Sequence, residues 1–254
     1  MRTANEIFSY LCRLAPLELQ VDFDNAGFLV GRGPAPVSSV LLALDITDEV
    51  IDEAIERKAD LIVSHHPIIF HKLNSVTDSS PDDKVLRLAE NRIGAVCMHT
   101  NLDIADGGVN DVLIRLLGAS CEGPLDKEGC GRFGSLPEEI PLDAFLERCK
   151  THLQAPGLRY CSGGKTVRRL AVMGGAGGDA LGDALEKDCD TFVTADVKYH
   201  QFLEAKERGL NLIDADHFCT ENPVIPVLAG KLSAAFPDVL FSISSRHHAV
   251  VSFF

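Results

Sequence analysis

Short apolar runs rich in β-branched residues alternate with amphipathic helical segments in this chain, and the alternation occurs twice. Strands pair in parallel when a helix carries the chain back over the sheet, which confines the fold to the α/β class. Val40 to Leu44 is the first run and ends in Asp45. Thr47-Asp48-Glu49 then opens a helix with Val50, Ile51, Ala54 and Ile55 at helical spacing. Leu61 to Val63 is the next strand, followed by Ser64-His65-His66-Pro67. After a loop at 71–80, a helix at 82–91 leads to the strand Ile93 to Met98, which ends in His99-Thr100-Asn101-Leu102-Asp103. The second half repeats this order: strand 170–173, the turn Gly174 to Gly178, helix 179–187, strand 191–193 with Thr194-Ala195-Asp196, helix 200–208, and strand 210–213 with Asp214-Ala215-Asp216-His217.

At a constant offset of 130, residues 54–66 align on 184–196, with Ala54/Ala184, Glu56/Glu186, Asp60/Asp190 and Val63/Val193 identical. An internal duplication is expected, each half a mostly parallel sheet flanked by helices. Residues 1–122 form the first repeat, 123–168 a connecting or accessory segment with one helix (Leu142 to Leu153), and 169–254 the second.

Open α/β sheets gather ligands at the carboxyl edge of their strands. His65 and His66 stand at such an edge, where a turn begun by Pro67 can swing both imidazoles toward one point. Equivalent edges supply His99, Asp103, Asp196, Asp214, Asp216, His217 and, four residues on, Glu221. Any one of these reads as a polar loop residue. Together they suggest a metal site, because buried charges are costly unless paired or metal-bound. Imidazoles mixed with carboxylates suit Zn, Fe, Mn, Co or Ni better than Mg or Ca. Carboxylates that bridge would allow two ions about 3.5–4 Å apart, an arrangement that activates water for hydrolysis.

The net charge of −13 disfavours nucleic acid, which needs a basic surface to displace phosphate counterions. The eight cysteines contain no Cys-x-x-Cys pair and read as reduced thiols of a cytoplasmic protein. No stretch approaches the roughly 20 apolar residues of a membrane span.

Four segments carry a resemblance to a known family: Asp24 to Gly31; Ser64-His65-His66-Pro67; His99 to Asp103; and Thr194 to His200 with Asp214 to Glu221. On these residues the chain resembles the Nif-three-like family, whose members bear the name GTP cyclohydrolase I type 2 homolog. The resemblance implies two intertwined α/β lobes, a ring-shaped homohexamer, and a two-metal site between the lobes carried by His65, His66, Asp103, His217 and Glu221. Ala195, Asp216, Phe218, Cys219 and the tail Ser244-Ser245-Arg246-His247-His248 depart from the family's usual pattern. Asp216 adds a carboxylate beside His217 that would alter metal preference or substrate fit.

On that basis Asp103 and Glu221 bridge two divalent transition metal ions, and His65, His66 and His217 cap them. His99 is an outer partner of the ligands or faces the substrate. Lys198 and His200 are candidates for substrate contact or proton transfer, set against ordinary helix-start residues. Gly174 to Gly178 reads first as a tight turn and second as a phosphate cradle. Arg132, in Gly131-Arg132-Phe133-Gly134, would meet an anionic ligand or sit in a solvated loop. The function expected is a dinuclear-metal-dependent hydrolase of a small nucleotide-like or phosphorylated molecule. The alternative is a non-enzymatic metal-binding or regulatory scaffold.

Overall fold

The computed structural model describes residues 1–78 and 83–253. The chain begins with β1 (Arg2–Thr3), α1 (Ala4–Leu14), β2 (Gly27–Val30), β3 (Pro36–Val37), β4 (Ser39–Ala43), α2 (Asp48–Glu56) and β5 (Leu61–Ser64). It continues through α3 (Asp83–Glu90), β6 (Gly94–Cys97), α4 (Thr100–Ile104), α5 (Val109–Leu116), β7 (Ser120–Pro124), β8 (Arg132–Ile140) and α6 (Leu142–His152). The remainder is β9 (Arg159–Cys161), β10 (Val167–Val172), α7 (Leu181–Glu186), β11 (Thr191–Thr194), α8 (Tyr199–Glu207), β12 (Asn211–Asp214), α9 (His217–Glu221), α10 (Val224–Ala235) and β13 (Leu240–Ile243). The end of the expected loop at 71–80 and residue 82 of the expected helix lie outside the described residues.

Two compact units result: 1–105 with 225–248, and 106–224 with the C-terminal residues from Ala249. The first holds a sheet of order β13-β4-β5-β6-β2, parallel except for β2. Leu41, Val50, Ile51, Ala54 and Ile62 meet in its core, which includes three of the four apolar positions read for α2, while Ile55 is exposed. The second holds β7-β8-β10-β11-β12-β9, parallel at β10-β11-β12 and antiparallel on both flanks. Most of those flanks fall in the segment expected as connecting or accessory. Residues 123–168 supply β8 and β9, and Phe145 of α6 is fully buried. Alternating burial along Arg132 to Leu136 marks β8 as a half-buried strand, a signal masked by Gly134 and Pro137.

The two sheets share a plan: an edge strand, then strand–helix–strand–helix–strand, with the edge strand antiparallel to the last of the three. The residues identical at the offset do identical work. Asp60 Oδ2 accepts the Ser38 and Ser39 N–H groups at 2.7 and 3.1 Å, and Asp190 Oδ2 accepts those of Arg168 and Arg169 at 2.9 and 2.7 Å. Each carboxylate thereby ties the start of one strand to the start of its neighbour. Lys58 and Asp188 both take φ near +55° just past their helices (54° and 55°). The next N–H returns to Ala54 O in one unit and Ala184 O in the other, closing both helix ends alike.

Candidate metal centre

In the first unit, parallel register aligns Ala43 with Ser64 and Ser64 with Cys97, so these three strands end together. Asp45, His65, His66 and His99 follow directly. The N–H groups of His65 and His66 both donate to Leu44 O, at 3.1 and 2.9 Å, which folds the chain sharply after β5. The two rings end 4.9 Å apart, and His99 lies 5.2 Å from the His65 ring. Each of the three offers a ring nitrogen within 4.8 Å of the others. His99, expected as an outer or substrate-facing residue, is thus the third imidazole of one donor group.

Oxygen acceptors set the tautomers. His65 Nδ1 lies 2.8 Å from Met98 O, His66 Nδ1 2.7 Å from Asp45 Oδ1, and His99 Nδ1 2.7 Å from Asp24 Oδ1. A carbonyl or carboxylate accepts only, so Nδ1 carries the proton and Nε2 is the nitrogen that could coordinate a metal. His65 Nε2 faces Asp103 Oδ1 at 3.6 Å. Burial alone would raise the Asp24 carboxyl, but the hydrogen bonds from His99 and Thr100 outweigh it and hold it at about 2. The carboxyl of Asp45 is likewise lowered, against burial, by His247 and His66.

The second unit builds a smaller group by the same logic. His217 Nδ1 lies 2.7 Å from Asp196 Oδ2, while His217 Nε2 faces Glu221 Oε2 at 3.2 Å. His217 and Glu221 sit one turn apart on α9, as His99 and Asp103 are spaced in the first unit. Gly175 makes room for them. A Cβ there would lie 2.2 Å from Glu221 Oε1 and 3.1 Å from His217 Nε2, and its φ of +65° suits glycine.

The model of the Duf34/NIF3 (NGG1p interacting factor 3) family matches residues 2–249. The chain belongs to this family. It is 36% identical over 251 residues to a GTP cyclohydrolase 1 type 2 homolog of Clostridium perfringens, covering 95% of this chain and 96% of that protein. Its fold is similar to that of a Staphylococcus aureus hypothetical protein (TM-score 0.93, 25% identity, 99% of each chain). A Bacillus cereus protein related to NIF3 has the same fold (TM-score 0.90, 24% identity, 100% of this chain and 99% of that one).

The donors of this NIF3-family protein form groups that could hold a metal ion. Within each unit an imidazole nitrogen meets a carboxylate oxygen and the imidazole is oriented from behind, and in the second unit a glycine clears the space beside Glu221. Asp24 and Asp45, which hold His99 and His66, were not among the strand-end candidates. Asp45 follows β4 by two positions as His66 follows β5, so the same strand-end rule would have found it. Asp24 lies before an antiparallel edge strand, where that rule does not reach.

Other candidates have different duties. Asp214 Oδ2 is paired with Arg159 at 2.5 Å, and Asp216 Oδ1 caps α9 by accepting the Cys219 N–H at 3.1 Å. Asp216 therefore serves the helix rather than adding a ligand beside His217. Its φ of +70° places it in the left-handed region. Arg132 does not present itself to an anion: it is buried, with Nε on Asp111 Oδ1 at 2.5 Å and Nη1 on Gly129 O and Gly131 O. The phosphate-cradle reading of Gly174 to Gly178 also fails. Gly174, Gly175 and Gly177 donate their N–H groups to Asn110 Oδ1, Thr220 Oγ1 and Thr194 Oγ1. Lys198 and His200 are exposed where α8 begins. Among the described residues, no helix is long and apolar enough to cross a membrane.

Proposed function

We propose that this chain is a dinuclear-metal-dependent hydrolase acting on a small nucleotide-like or phosphorylated substrate. In this reading His65, His66, Asp103, His217 and Glu221 hold two divalent transition ions jointly, with His99 adjoining them. One observation carries it. In each unit an imidazole whose Nδ1 is tied to an acceptor turns Nε2 toward a carboxylate oxygen, at 3.6 Å for His65 and Asp103 and 3.2 Å for His217 and Glu221. Two electron-rich atoms facing each other favour a cation between them.

Divalent ions there would supply Lewis acidity, making water a nucleophile near neutral pH and stabilising developing negative charge. The protein's own share is orientation. Asp24, Asp45, Asp196 and Met98 O fix four imidazoles before substrate arrives. Phe23 and Phe70, 72% and 39% exposed, stand edge to face at 6.5 Å, and Phe70 lies 6.0 Å from the His99 ring. Such a pair beside the imidazoles favours a substrate with a planar ring. Lys198 and His200 are open to contact with its polar groups or to proton transfer.

The relatives' name makes GTP the first substrate to test, followed by phosphoesters and cyclic amides. Elemental analysis of freshly purified protein should find about two transition ions per chain, and Asp103→Ala should lose both the metal and turnover. Metal-loaded protein inert across the whole panel would favour the non-enzymatic scaffold instead. A ring-shaped homohexamer belongs to the same reading, and a solution mass near that of a monomer would count against it. All eight cysteines are free thiols, and burial pushes those of Cys97, Cys149, Cys189 and Cys219 up to about 12, which suits a cytoplasmic setting.

A further inference from the structure

The C-terminal tail reaches back to the imidazole group. Ser244 N–H donates to Leu42 O at 2.8 Å, extending the pairing of β13 with β4 to the strand's end. Glu53 of α2 then collects the tail. Its carboxylate accepts Ser244 Oγ at 2.5 Å, Ser245 N–H at 3.1 Å, Ser245 Oγ at 2.8 Å and Arg246 N–H at 3.3 Å. Arg57 braces Glu53 at 2.6 Å, and Arg246 pairs with Glu56. The clamped segment delivers the next residue, His247, whose side chain is 6% exposed. His247 Nε2 lies 2.9 Å from Asp45 Oδ2. Asp45 Oδ1 is the oxygen that holds His66 Nδ1 at 2.7 Å.

We infer that the tail segment Ser244–His247 is a working part of the metal centre, with His247 pinning the Asp45 carboxylate that orients His66. This rests on the metal reading above. A carboxylate bonded through one oxygen still rotates about its Cβ–Cγ bond, and the ring it holds swings with it. A second imidazole on the other oxygen removes that freedom. The same nitrogen also lies 3.1 Å from the Asp45 N–H, but only the tautomer protonated at Nε2 serves the carboxylate. His247 is therefore a positioning residue: it acts on the metal through Asp45 and His66, and Glu53 holds it there. Outer partners of a metal-bound imidazole typically change metal affinity by about 10–100-fold.

The test is zinc affinity of the full chain, measured by competition with a chromophoric chelator, alongside the cobalt(II) absorption envelope and the melting temperature of metal-free protein. His247→Ala should bind zinc about ten-fold more weakly and shift the cobalt bands. His247→Gln, which keeps an N–H donor, should recover most of the affinity. A Ser244→Ala/Ser245→Ala double variant loosens the clamp without touching His247 and should weaken zinc in the same direction, which covers the case in which His247→Ala fails to fold. A purely structural tail would lower the melting temperature and leave zinc affinity and the cobalt spectrum at wild-type values. That result overturns the inference while the metal reading stands. Wild-type chain that takes up neither zinc nor cobalt overturns both.

Discussion

The two units use one scaffold and finish it differently. Asp60 and Asp190 each gather two backbone N–H groups at a strand start, and Lys58 and Asp188 each turn the chain left-handed after a helix. Past the strand ends the likeness stops. The first unit carries three imidazoles, Asp103 and the carboxylates Asp24 and Asp45 behind them. The second carries one imidazole and one carboxylate crowded against a glycine turn. Residues that hold the sheet together persist through the repeat, whereas residues at the carboxyl edge are free to diverge because no strand pairing depends on them. The left-handed aspartates of the second unit make the same point in miniature. Asp196 spends its carboxylate on a candidate ligand and Asp216 on a helix cap.

The strongest way to break this comparison is at Gly175. Gly175→Ala should cost about 1–2 kcal/mol in backbone conformation alone. Its Cβ would also displace the Glu221 carboxylate, so zinc affinity should fall at least ten-fold by chelator competition. Retained affinity would mean that the second unit's donors do not depend on close approach of the turn. The shared scaffold predicts a matched pair of effects. Asp60→Ala and Asp190→Ala each strand two N–H groups and should each lower stability by about 2 kcal/mol in chemical denaturation, with metal content unchanged. A large disparity would show that the two carboxylates are not equivalent.

The smallest effect separates the units by pH. Burial alone would raise the Glu53 carboxyl, but hydrogen bonds from Ser244 and Ser245 and the charge of Arg57 bring it from the ordinary 4.5 to about 2. A depressed carboxyl contributes stability in full above its unfolded value and loses it as pH falls through the folded one. Glu53→Gln should therefore cost about 1–2 kcal/mol at pH 7, and the gap from wild type should close between pH 4.5 and 2. A gap constant across that window would mean that the charge of Glu53 contributes nothing to holding the tail.

The sequence by itself determined the class of fold and the edges where donors gather. Helical spacing marks Val50, Ile51 and Ala54, apolar runs mark the parallel strands, and side chains ending those runs must emerge at one edge. Local chemistry suffices for this, because strand and helix periods are properties of short segments. The sequence also marked His65 and His66 as a pair after β5, where their N–H groups on Leu44 O fold the chain. Residues 123–168, expected as a connecting or accessory segment, also supply β8 and β9, and the sequence offered Arg132 and Asp216 to ligands where Asp111 and the cap of α9 engage them. Tertiary structure alone decided which acceptor stands behind each imidazole. Asp24 reaches His99 across 75 positions and His247 reaches Asp45 across 202. Hydrogen bonds over such separations leave no periodic trace in the chain. They exist only because sheet register carries distant residues to the same strand ends, and that register fixes which ring nitrogen of each histidine its acceptor holds.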